Sequence, residues 1–264
     1  MTPRLSARFF VVSLVSAAGL IAVGACSGLA SDVARYATSP GLSSSSPDSS
    51  PAPPKAPPAL TDDQARAALI TEADLGDPWA PTQGIATWRD GFLKASAPRG
   101  MPDCQRLLDV LYSDELLGAP ARAVVGLDDG YADAQLRYQV SAQRPTEVDR
   151  ALVWMRTLPQ RCRQFTATTA RGVVQGVQVV DSRLPAFGDA RQGLRVTVTR
   201  DDDGQGAGQP VTLTLDVAAV RVGEDAFTVT NGGIGEVYPE VTQAAAELGA
   251  KRLAEVRKQG RVQV

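Results

Sequence analysis

The chain has 264 residues, 27 basic and 29 acidic, with a formal net charge of −2, so no overall field recruits nucleic acid. It contains no histidine, which excludes Ser-His-Asp and Cys-His nucleophile activation and every histidine-based metal site. Its four lysines, Lys55, Lys94, Lys251 and Lys258, form none of the polybasic clusters that bind anionic lipid.

Arg4 and Arg8 lead into Phe9–Val23, fifteen almost wholly apolar residues. A helix needs about 20 apolar residues to span a bilayer, so this run has the length of a signal-peptide core. The following "VGAC", Val23 to Cys26, resembles a bacterial lipobox, in which small residues precede a cysteine that receives lipid. The resemblance implies a lipoprotein signal peptide over residues 1–25 and lipidation at Cys26. Two or three acyl chains, palmitate among them, would make a stable anchor where one would not. The alternatives are an ordinary secretory signal with an incidental cysteine, or an uncleaved anchor.

If Cys26 carries lipid, Cys104 and Cys162 remain. In an exported protein they are the natural disulfide pair, the alternative being two buried free thiols. Residues 26–60 read as a tether. Their stretch "TSPGLSSSSPDSSPAPPKAPP" is too polar to form a core, and its prolines favour extended chain at about 3 Å per residue. The remaining residues, 61–264, have the length of one domain.

"TDDQARAALI", Thr61 to Ile70, has a capping residue, an acidic first turn and helical apolar spacing, and "ADLGDPW" breaks it. A short strand is expected around Ile85 to Leu93. "PDCQRLLDVLY" sets Cys104, Leu107, Leu108 and Leu111 on one helical stripe. Thr146 to Leu158 forms a second such helix, whose inner face continues to Cys162. Period-two alternation marks strands at "ADAQLRYQV", "LRVTVT", "VTLTLDV" and around Phe227 and Val229. A closing helix runs from about Tyr238 to Lys258. The expected fold is α+β: a twisted antiparallel sheet with helices packed on one face, leaving a threonine- and arginine-bearing face to water or a ligand.

Chemistry-bearing motifs are weak. The aspartates of "DDDG", Asp201 to Gly204, are contiguous where a calcium loop alternates them, and read as a solvated turn. "GQGAG" joins two strands, so no helix terminus is available to meet phosphate. "NGGIGEVY", Asn231 to Tyr238, carries Tyr238 at the third fingerprint position and reads as a flexible connection. Trp154 reads as packing, while Trp79 and Trp88 fall in irregular segments where they either pack or line a cleft. Arg137, Arg195 and Asp216 on the polar sheet face, together with Trp88, are the candidate ligand-binding residues. The alternative is an ordinary solvated surface. Neither a catalytic set nor a metal or other cofactor is expected.

The lipobox, the Ser/Pro tether, "LITEADLGDPW", the helix-borne Cys104 and Cys162, and the closing helix after "NGGIGEVYPEV" together resemble the PknH-like extracellular sensor domains of actinobacteria. These occur on receptor kinases and on free-standing lipoproteins. The resemblance implies a mixed α/β sandwich-like domain with a cleft on its antiparallel sheet for an unidentified ligand. Members commonly carry two disulfides, whereas this chain can form one, and no ligand residues carry over. The expectation is a membrane-anchored extracytoplasmic lipoprotein with a non-catalytic ligand-binding or sensor domain. It would meet the membrane through its lipid anchor, meet an envelope ligand or protein partner, and bind no nucleic acid. The alternatives are a lipid carrier and a carboxylate-based envelope hydrolase.

Overall fold

The computed structural model describes residues 59–86, 88–141, 143–201 and 208–262. The leader, Cys26, nearly all of the tether and most of the "DDDGQGAG" stretch after Asp201 lie outside the described residues. The chain order is α1 (Asp62–Ala67), α2 (Glu72–Leu75), β1 (Trp79–Pro81), a π-helical turn (Arg89–Leu93), β2 (Ala95–Ser96) and α3 (Pro102–Ser113). It continues with β3 (Ala121–Asp129), β4 (Ala134–Ser141), α4 (Pro145–Arg161), β5 (Gln164–Thr169), β6 (Val174–Ser182), β7 (Ala190–Arg200), β8 (Val211–Val222), β9 (Asp225–Ile234) and α5 (Pro239–Val262). The nine strands make one antiparallel sheet in the order β1-β3-β4-β9-β8-β7-β6-β5-β2. Its edges are very short strands, one ending in Pro81, which leaves little free ladder for another chain to extend.

Local sequence sets the helix ends. The Thr61 hydroxyl accepts from the backbone N–H of Gln64, whose side-chain oxygen accepts from the backbone N–H of Thr61, closing a capping box at the start of α1. Pro102 and Pro145 open α3 and α4 at positions where a missing N–H costs nothing. Leu107, Leu108 and Leu111 of α3 and Val148, Leu152, Met155 and Leu158 of α4 are all buried. Cys104 and Cys162 join these helices in a disulfide with Cα atoms 5.5 Å apart. Among the described residues no helix is long and apolar enough to cross a membrane.

The fold is a single α+β domain, but its helices do not share one face of the sheet. Alternate residues of a strand point to opposite faces. In β8, Leu213, Leu215 and Val217 join the core beneath α3 and α4, whereas Ala218 and Val220 join the core beneath α1 and α5. The α3–α4 side is called the front here. Front helices cover mainly β5 to β8, and the back helices cover β3, β4, β9 and β8. Width explains the split: nine strands about 4.8 Å apart span roughly 38 Å, and a helix is only about 10–12 Å wide. Each helical layer therefore covers part of one face.

Three further expectations change. The first helix stops at Ala67, and Thr71 starts the separate α2. The strand expected around Ile85 to Leu93 is instead a loop ending in the π-helical turn, while the strand that forms is Trp79–Pro81. "NGG" is no loop, because Asn231, Gly232 and Gly233 belong to β9 and are buried. A Cβ at Gly232 would stand 2.3 Å from a Leu215 methyl and 3.0 Å from the Trp88 ring, so glycine there admits close packing.

Candidate ligand-binding cleft

The helices leave one end of the front face uncovered. There the ends of β4, β9, β8 and β7 meet the turns after β3 and β5, and residues 84–86 and 88–92 form the opposite wall. The result is an open cleft of about 1030 Å³. Among the described residues its charged lining comprises Asp90, Asp128, Asp129 and Asp133 with Arg89, Arg171 and Arg200; its apolar lining includes Ile85, Trp88, Phe92, Val211 and Ile234.

Long-range polar bonds fix the loop wall. Arg89 is buried and donates Nη2 to the carbonyls of Leu111 (2.7 Å) and Tyr112 (3.0 Å), the open C-terminal end of α3. The same nitrogen lies 2.7 Å from Asp114 Oδ1, and Asp114 Oδ2 lies 2.8 Å from Arg137 Nε. Asp114 stands at φ 60° just past α3, so one carboxylate at a helix end holds two arginines from other elements. From below, Arg200 donates to the Gly91 carbonyl at 3.0 Å and lies over the Phe92 ring at 4.1 Å, while Gln175 donates to the Phe92 carbonyl at 2.5 Å. Single-turn π-helical segments often occur at functional sites; here these contacts hold one in place.

Gln135 fixes the other part of this wall. It is buried in β4, and its Nε2 donates to Thr82 Oγ1 (2.9 Å), the Gly84 carbonyl (2.9 Å) and Asp128 Oδ1 (2.8 Å). Its Oε1 accepts from the Ala86 N–H at 3.2 Å. Next to Asp128, Asp129 Oδ1 accepts from the backbone N–H groups of Tyr131 and Ala132 and shapes the β3–β4 turn. Tyr131 on that turn is 86% exposed. Among the described residues Asp133 and Arg171 make no hydrogen bond or ion pair, so their charged ends are open to a ligand.

The candidate residues of the sequence fall in three places. Trp88 lines the cleft, its ring seated on Gly232. Arg137 is on the same sheet face, held by Asp114. Arg195 and Asp216 are register partners on the opposite face, and they pair with each other. The expectation of one shared polar face therefore fails for this set. Arg137 pairs in register with Thr230, itself opposite front-facing Val217, whereas Asp216 points to the back.

The sequence reading did not single out Asp90, Gln135, Arg171 or Arg200, which meet through the topology rather than through any local motif. Among the described residues no cluster of three or more Cys, Asp or Glu side chains is placed to hold a metal ion.

No protein-family model matches the chain, and no curated protein matches it either. Among solved structures, the chain is similar to the extracellular domain of PknH from Mycobacterium tuberculosis, at 14% identity and a TM-score of 0.41, over 76% of this chain and 98% of that one.

Proposed function

We propose that this is a membrane-anchored extracytoplasmic lipoprotein, held by acyl groups on Cys26, whose non-catalytic domain binds or senses a ligand in the front cleft. The cleft carries this reading. Its wall is fixed by Arg89, Arg200, Gln175 and Gln135, while the Asp133 and Arg171 side chains line it without partners among the described residues. A pre-formed concave site with a few open polar groups is the usual form of a ligand pocket. The signal-like leader, the lipobox and the disulfide agree in pointing to an exported protein.

The absence of histidine and the engagement of both domain cysteines in a disulfide favour binding over catalysis. Asp90, Asp128 and Asp129, three of the four carboxylates in the described lining, accept structural hydrogen bonds. A lipid-carrier role fits less well, since an acyl chain in this cleft would desolvate charged side chains on both walls.

Two experiments test the two halves of the reading. Cys26→Ala should move the protein from the membrane fraction to the soluble one, and unchanged sedimentation counts against the anchor. For the cleft, the useful variant is Gly84→Trp, because Gly84 lines the cleft and a Cβ there meets nothing within 4 Å, which leaves room for an indole to occupy cleft space. Native mass spectrometry of the protein isolated from its envelope should show a bound companion in the wild type and none in Gly84→Trp. A companion retained by both, or absent from both, defeats the cleft as the binding site.

A further inference from the structure

We infer that the ligand of the front cleft is a neutral, hydroxyl-rich saccharide chain, one pyranose face of which stacks on Trp88. This rests on the cleft being the binding site. Three observations set the ligand's chemistry: charge of both signs, an aromatic platform, and the room available.

The cleft mixes both signs. Among the described residues, four carboxylates, from Asp90, Asp128, Asp129 and Asp133, share the lining with the guanidiniums of Arg171 and Arg200, while the Arg89 guanidinium is buried against the end of α3 and Asp114. An anion would meet the carboxylates, a polycation the guanidiniums, and an acyl chain would strip water from both. A neutral polyol uses both kinds of group. Its hydroxyls donate to a carboxylate and accept from a guanidinium, and both side chains are planar and two-pronged, matching neighbouring hydroxyls on a ring. Asp133 and Arg171, free of partners among the described residues, are the two groups most open to this role.

Trp88 supplies the flat apolar surface that the C–H face of a sugar ring requires. It packs directly on the backbone at Gly232, where even a methyl group would lie 3.0 Å from the ring, and Arg89 sits 5.9 Å from the ring centroid. The platform is held before a ligand arrives, which lowers the ordering cost of binding. Tyr131 stands on the turn between cleft-lining Gly130 and Asp133 with its ring in water, a second aromatic surface at the rim. The volume of about 1030 Å³ lies at the top of the range of about 300–1,000 Å³ for small-molecule sites. The cleft is open, so several linked rings fit better than one.

The test is titration of the full-length protein in detergent, followed by tryptophan fluorescence and calorimetry. The neutral probes are maltoheptaose, cellohexaose, xylohexaose, mannohexaose and arabinohexaose; the charged or greasy probes are spermine, inorganic phosphate, a lysine-rich decapeptide and palmitate. The expected result is saturable binding of at least one neutral oligosaccharide, changing less than about twofold between low and high salt because no counter-ions are released. Trp88→Ala and Gly84→Trp should each weaken it at least about tenfold. Tyr131→Ala, at a site too exposed to affect folding, should weaken it by several-fold.

Binding blocked by Gly84→Trp but confined to a charged or greasy probe overturns the saccharide and leaves the cleft as a binding site. No binding by any probe, together with no cleft-dependent companion in the isolated protein, overturns both.

Discussion

Arg195 and Asp216 stand directly opposite each other on β7 and β8 and close a two-point ion pair, Nε to Oδ1 at 2.8 Å and Nη2 to Oδ2 at 2.7 Å. Asp216 is 1% exposed, and Arg195 also donates to the Val237 carbonyl at 2.9 Å, tying the approach to α5 onto the sheet. The bond from Asp216 raises the Arg195 pKa above its ordinary value, so the guanidinium remains charged at every working pH. Two residues that look like ligand contacts in the sequence thus satisfy each other.

Arg195→Ala should therefore destabilise the domain rather than leave its melting unchanged. Removing one partner of a buried pair strands the other charge, at a cost of about 3 kcal/mol, less here because Arg195 is partly exposed. For a domain of this size that lowers Tm by roughly 5–10 °C. Replacing both members with apolar residues, Arg195→Met with Asp216→Leu, should restore most of the loss. Thermal denaturation of the three variants decides it, and an Arg195→Ala melt matching wild type would falsify the structural role.

The acid limb of stability should depend on Asp103. The Arg161 guanidinium bonds its carboxylate at 2.5 Å and the Trp154 indole N–H donates at 3.0 Å, so its pKa lies below the ordinary 3.8. A carboxyl whose folded pKa is depressed contributes stability that is present above its unfolded pKa and is lost as pH falls through the folded value. The Tm difference between wild type and Asp103→Asn should thus be full near neutrality and shrink below about pH 3.8. Asp74 behaves alike. Burial pushes its pKa up, but bonds from Arg252 and Thr71 outweigh that and leave it lowered. A Tm difference that stayed constant down to pH 2 would count against the Asp103 contacts.

The Cys104–Cys162 disulfide closes a loop with a sequence separation of 58 residues between the start of α3 and the end of α4. Chain entropy alone gives a stabilisation of about 4 kcal/mol for such a loop, and measured effects usually fall somewhat short. Both cysteines are buried, so Cys162→Ser also loses packing. Its urea midpoint should fall by the equivalent of about 2–4 kcal/mol. Non-reducing peptide mapping of exported protein should recover the two cysteine peptides joined. Two alkylatable thiols in the native protein would contradict the pairing.

Much of the architecture was legible because alternation is a local signal: Leu136, Tyr138 and Val140, or Leu194, Val196 and Val198, recur every second residue and are buried together. The pattern shows that a strand has two sides, but not which neighbour covers each. The clue was the unbroken Val217–Val220 run, apolar on both sides, which fits a strand covered front and back. The π-helical turn was invisible for a different reason. What holds "RDGFL" in place is Arg89 reaching α3, Gln175 reaching up from β6 and Arg200 from β7, partners 22, 83 and 109 residues from the atoms they bond. The cleft inherits that obscurity. Trp88 could be suspected as a lining residue, but Arg171 and Asp133 become meaningful only after the sheet has brought two turns together.

Gly249 gives the sharpest test of back-face packing. It sits inside α5, where glycine costs about 1 kcal/mol relative to alanine, so propensity alone recommends Gly249→Ala. The structure says the reverse. An added Cβ would stand 2.4 Å from Tyr138 Cε2 and 2.7 Å from its hydroxyl, and that ring is fully buried against Phe227, centroids 5.0 Å apart. Nothing flexible can yield there, so overpacking should cost about 1–3 kcal/mol beyond any gain in helix propensity. Gly260 in the same helix is the control. Its added Cβ would meet chiefly the amide end of the Gln64 side chain, which can shift at the cost of its bond to the Thr61 N–H. Gly260→Ala should be near neutral, the gain in helix propensity offsetting the weakened capping box, while Gly249→Ala lowers Tm. If both raise it, α5 does not pack on Tyr138 at contact distance, and the Gly249 argument fails.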